Sequence, residues 1–144
     1  MIQKDTVRLL RECNAGIKIG VTSIGRVQEE AVSPQMRKYL SDCKNKHEEL
    51  QSEIQALLYC YCDKGKSPSP VALWMSKLKT QVKMTLNRSD ATIADLITDG
   101  CNMGVKSLSR FLNQYKTADE KAKDLTRRLI ALETALAESL RPYL

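Results

Sequence analysis

Aromatic side chains are scarce in this chain: five tyrosines, one tryptophan and one phenylalanine make up 5% of its 144 residues, and there is a single histidine. Glycine and proline are few as well, with six and four copies. With one histidine and no Gly-rich phosphate loop, neither a Ser-His-Asp arrangement nor a nucleotide site can be assembled from recognisable parts. No apolar run reaches the roughly 18 residues that a membrane span requires. The N-terminal Met1-Ile2-Gln3-Lys4-Asp5 lacks a basic head followed by an apolar stretch, so the expected compartment is the cytoplasm. Five cysteines are an odd number, which favours reduced thiols buried as small apolar groups over a disulfide framework.

What is present is helical periodicity. β-Branched residues are scattered, apolar positions recur every three or four residues, and 42% of the chain is apolar, so a single all-α domain over 1–144 is expected. A first helix over about 5–31 carries the seam Val7, Leu10, Cys13, Ile17, Val21, Ile24 and Val27. Ser33-Pro34 supplies an N-cap and a first-turn proline for a second helix over 34–62. Its seam, Met36, Leu40, Cys43, His47, Leu50, Ile54, Leu57 and Tyr61, alternates steps of four and three in the manner of a bundle. Gly65 and Ser67-Pro68-Ser69-Pro70 end it, and a shorter amphipathic helix over 71–86 shows Trp74, Leu78 and Val82 on one face.

Ser89 or Asp90 then caps a helix over 90–116, with Ile93, Leu96, Ile97, Cys101, Val105, Leu108, Leu112 and Tyr115 inward. Thr117 and Glu120 have capping-box spacing for a last helix over 118–141, whose seam is Ala122, Leu125, Leu129, Leu132, Leu136 and Leu140. Short connections make each consecutive pair an antiparallel hairpin. The long link between the pairs lets the chain return along the bundle, the connectivity of ferritin-like folds.

An internal repeat supports two related hairpins. Cys13-Asn14-Ala15-Gly16-Ile17-Lys18 reappears as Cys101-Asn102-Met103-Gly104-Val105-Lys106, with Cys, Asn, Gly and Lys kept and Ile exchanged for Val. It predicts a pseudo-two-fold axis relating Cys13 to Cys101 and Gly16 to Gly104. Gly16 with Gly20, and Gly100 with Gly104, form G-x-x-x-G steps, although each helical glycine costs about 1 kcal/mol relative to Ala. They predict close approach of the first and third long helices, or bulky neighbours filling the gap.

The net charge is +6, and much of it is concentrated in one segment, where Lys64, Lys66, Lys77, Lys79, Lys83 and Arg88 face only Asp63. Such a patch is either the solvated face of one amphipathic helix or a surface for nucleic acid or another anion. The absence of Gly/aromatic interleaving favours the solvated face.

Cys13-x-x-Gly16, the Ser/Pro linker, Ala72-Leu73-Trp74-Met75 followed by Lys77-Leu78-Lys79, the Ser89-Asp90 turn and the Gly100-x-x-x-Gly104 helix together resemble a bacterial family of ferritin-like bundles of unknown function. The resemblance implies a four-helix bundle and directs attention to a di-metal centre. Such a centre takes one Glu on each of the first and third helices and Glu-x-x-His on each of the other two. At the corresponding places stand Ile17 and Val105, then Lys44 before His47, and Ile130 before Glu133. A classical di-iron site is therefore not expected.

His47 is the leading candidate for chemistry, facing Glu133 and preceded one turn earlier by Cys43, a spacing that allows two zinc ligands on one helix. The plainer expectation is a satisfied core histidine bonded to Glu133. Cys60-Tyr61-Cys62 gives a C-x-C at a helix end, a weak redox or metal signal. The sequence thus points to a non-enzymatic bundle with an interaction or stress-associated role. The sequence names no partner and leaves a homo-oligomer through helix faces open, and iron, manganese or zinc enters only if His47, Glu133 and Cys43 form a rearranged site.

Overall fold

A computed structural model describes residues 2–61 and 89–144. The described residues contain four long helices: α1 (Ile2–Val27), α2 (Pro34–Cys60), α3 (Asp90–Gln114) and α4 (Glu120–Leu140). Short 3-10 turns at Gln28–Glu30 and Arg141–Tyr143 follow α1 and α4. The expected helix over 71–86, Cys62, Trp74 and the basic residues from Lys64 to Arg88 lie outside the described residues.

The starts of the helices follow from local chemistry. Ser33 accepts a hydrogen bond from the Met36 N–H at 3.3 Å, and Pro34 occupies a first-turn position where its missing N–H costs nothing. Ser89 caps α3 through the Thr92 N–H at 3.2 Å. At α4 the cap is Asp119, which accepts from the Lys121 N–H at 3.0 Å, and not Thr117. Thr117 is engaged elsewhere: its hydroxyl donates to Asp5 at 2.6 Å, which removes it from capping-box duty.

These bonds also fix the topology. Asp5 in the first turn of α1 accepts from Thr117, and the Thr6 hydroxyl accepts from the Asp119 N–H at 2.7 Å, so α1 begins where the α3–α4 turn lies. At the opposite end, Asp90 in the first turn of α3 accepts from the N–H groups of Val32 and Ser33 at 2.7 and 2.9 Å. Each hairpin's turn is therefore held by an aspartate opening the other hairpin. The arrangement is a hydrogen-bonded counterpart of the sequence repeat. Tyr61, just past α2, reaches Asp119 at 3.4 Å. Helix α2 thus ends at one end of the bundle and α3 starts at the other, as the long-link reading requires.

The buried seams of α2 and α4 run in step. Met36, Leu40, Cys43, His47, Leu50 and Ile54 match Ala122, Thr126, Leu129, Glu133, Leu136 and Leu140 at a constant offset, and every one is buried. Leu58, not the half-buried Leu57, closes the α2 seam. Val7, Val21, Leu112, Tyr115 and Leu132 are half-buried and pack against the edge of the core, while half-burial corrects Leu96 and Val105. Leu9 and Ala94 take core places that the spacing did not assign.

The core falls into two hydrocarbon clusters. One gathers Ile24, Met36, Leu40, Cys43, Ile97, Cys101 and Leu140 around the end holding the α1–α2 turn. The other gathers Leu9, Cys13, Ile17, Ile54, Leu125 and Leu129 around the far end. Between them lies a polar layer. Outside, Arg128 grips Glu53 with two bonds of 3.1 and 2.8 Å across α2 and α4. That exposed pair contributes under about 1 kcal/mol.

Candidate functional site

The polar layer is made by His47 on α2 and Glu133 on α4, 1% and 8% exposed. The imidazole is oriented by its own helix. Nδ1 lies 2.8 Å from the carbonyl oxygen of Cys43, one turn back, and 3.4 Å from the Cys43 sulfur. A carbonyl only accepts, so Nδ1 carries the proton there. Nε2 is left facing Glu133 Oε1 at 3.9 Å, an ion-pair separation longer than a hydrogen bond. The other carboxylate oxygen, Oε2, has no hydrogen-bond partner among the described residues.

Two glycines make this layer sterically feasible. A methyl at Gly104 would overlap Glu133 Oε2, and one at Gly20 would lie 3.2 Å from the His47 ring. Gly16 differs, since a methyl there would meet nothing within 4 Å. The expectation that these glycines draw α1 and α3 together is corrected: Gly16, Gly20, Gly100 and Gly104 line a cavity of about 130 Å³ between the two helices. Of the bulky neighbours considered for the gap, it is the ionisable pair that occupies the space at Gly20 and Gly104. The cavity wall is completed mainly by Ile19, Ile24, Leu108 and Phe111, with Glu12 and Ser107 also lining it and both partly exposed.

Burial disfavours a charge on His47, but the bond and charge of Cys43 and Glu133 outweigh it and hold the imidazole above its usual range. Burial raises Glu133 too, and His47 draws it only partly back. Burial likewise raises Glu12 at the cavity wall. Burial keeps the Cys13 and Cys101 thiols protonated. Burial pushes Cys13 up to about 12 despite the Thr126 bond, with Glu12 and Glu133 adding to the shift, and burial with Glu133 and Cys43 pushes Cys101 up as well. Thr126 donates to Ala122 at 2.8 Å, so the Cys13 S–H is the donor in their 3.1 Å contact.

The sequence candidates are thus brought together unevenly. His47, Glu133 and Cys43 meet, but Cys43 lies on the Nδ1 edge of the ring and Glu133 on the Nε2 edge, so the three do not converge on one ion. Among the described residues no group of three or more His, Cys, Asp or Glu is placed to hold a metal. The donor set of the described residues does not fit a di-metal centre. Cys13, Cys43, Cys60 and Cys101 are free thiols, with Cys13 and Cys101 in different core clusters. Sequence reasoning missed Glu12 and Thr126. The residues beside Cys13 and Leu125 offered no signal except their places on helical faces that prove to be packed.

Fold and site together define an all-α four-helix bundle with a buried imidazole–carboxylate pair beneath a glycine-lined cavity. A crystal structure of a DUF305 fragment from Deinococcus radiodurans has the same fold, with a TM-score of 0.75 and 12% identity over 96% of this chain and 93% of that chain. No family model matches this chain, and no curated protein matches its sequence. No helix among the described residues is long and apolar enough to cross a membrane.

Proposed function

We propose that the protein is a ferritin-like helical bundle of non-enzymatic type, acting by binding in an interaction or stress-associated role, without a di-metal centre. The facing of His47 and Glu133 carries this reading. Two closely held cations need several carboxylates to offset their charge. At the level of the bundle where such a centre belongs, this chain sets one imidazole against one carboxylate. Gly20, the α1 residue packed against the His47 ring, brings no carboxylate to that level, and the fully buried Ile17 one turn away is hydrocarbon. The shared fold with the DUF305 fragment supports the bundle assignment.

Metal analysis of protein purified from iron-, manganese- and zinc-supplemented medium tests the reading. Well under one ion per chain is expected. Stoichiometric metal, lost on His47→Ala, would instead establish a rearranged metal site.

A further inference from the structure

The cavity between α1 and α3 is half open to solvent and lined mainly by apolar groups. Its volume of about 130 Å³ approaches the roughly 150 Å³ of an engineered apolar cavity that admits benzene. Gly16, Gly20, Gly100 and Gly104 present backbone instead of side chains, leaving a flat wall, and Ile19 and Leu108 add hydrocarbon. Two carboxylates belong to this lining, Glu12 partly exposed and Glu133 buried. Glu133, with its side chain 10% exposed, has its Oε2 against Gly104 and without a hydrogen-bond partner among the described residues. A buried polar atom of this kind is costly until a donor reaches it.

We infer that the cavity binds a small neutral molecule with an apolar ring and a single hydroxyl, a phenol, whose O–H donates to Glu133 Oε2. The inference rests on the binding reading above and names its ligand class. A benzene-sized ring fills the space beside the glycines, and the hydroxyl satisfies the open carboxylate oxygen through a charge-assisted bond. The alternatives are disfavoured by the same wall. An anion meets Glu12 and Glu133. An ammonium meets His47, whose Nε2 is 3.9 Å from the carboxylate it would share. A plain hydrocarbon fits the space but leaves Oε2 unanswered.

Titration of the full chain with phenol, followed by two-dimensional amide NMR, is the test. Saturable shifts are expected at the amides of Gly16, Gly20, Gly100 and Gly104, with toluene at least about tenfold weaker and benzoate silent. Gly16→Leu, which enters open space, should block phenol while helicity is retained. In Glu133→Gln the preference for phenol over toluene should shrink about tenfold, since a charged acceptor is replaced by a neutral one. The inference is overturned if millimolar phenol leaves these amides unmoved, if toluene binds equally well, or if Gly16→Leu leaves phenol binding intact. Metal content separates the two claims. A metal-free protein indifferent to phenol loses only this inference, whereas stoichiometric metal overturns the binding reading itself.

Discussion

His47 Nε2 faces Glu133 Oε1 at 3.9 Å in the layer that divides the hydrocarbon core in two. Both groups are buried, so removing one partner strands the other. Glu133→Leu should destabilise the fold by about 3 kcal/mol, in the range for breaking a buried pair. The double variant His47→Leu/Glu133→Leu should recover most of that loss, because no buried charge then remains. Urea unfolding of the two singles and the double gives the coupling directly.

The pH dependence has a definite sign. Both groups bind their proton more tightly when folded, since His47 and Glu133 are each raised. The Glu133 contribution is full below its unfolded value of about 4.3 and is lost as pH rises through the folded one. His47 behaves alike, starting from its unfolded value of about 6.5. The stability advantage of wild type over His47→Gln should therefore shrink as pH rises above neutrality, read as urea midpoints at pH 6, 8 and 10. An advantage that grows with pH would contradict the pairing.

The glycines should respond oppositely. Gly16→Ala places a methyl in open space in the middle of α1 and should stabilise by about 1 kcal/mol through helix propensity. Gly104→Ala should destabilise, because its methyl must push the Glu133 carboxylate out of the layer. Thermal unfolding of the two variants distinguishes these outcomes by sign alone.

Cys13 and Cys101 should resist thiol reagents in the native state at pH 8, while the exposed Cys60 reacts readily. After denaturation without reductant, all five cysteines should titrate as free thiols. A count of three would mean a disulfide and would break the reduced-thiol expectation.

Ile17→Glu should cost several kcal/mol, since Ile17 is fully buried and the new carboxylate would be unpaired. Tolerance of that change, measured by denaturant midpoint, would imply a hidden partner for the acid.

Much of the frame was legible because it depends on period and local chemistry. The regular seam of α2 gave its inward face as far as Ile54, Ser33 with Pro34 gave its start, and matching seams put His47 opposite Glu133. The rest turned on contacts between distant residues. Thr117 has cap spacing, but Asp5 occupies its hydroxyl, and nothing near Thr117 announces that. Gly104 looks like a close-packing residue until the position of Glu133 is known. Val105 inherits the repeat's pattern, yet Gly104 beside it faces the layer, so Val105 turns half outward. Repetition of sequence did not enforce repetition of environment.

The crossed aspartate bonds have a consequence for how the molecule opens. The turn amides of Val32, Ser33, Thr117 and Asp119 donate to side chains of the opposite hairpin. Neither turn can fray by itself without surrendering an anchor at the other hairpin's first helix. The two hairpins should therefore form one cooperative unit in hydrogen exchange, with these loop amides released together with the helices they join.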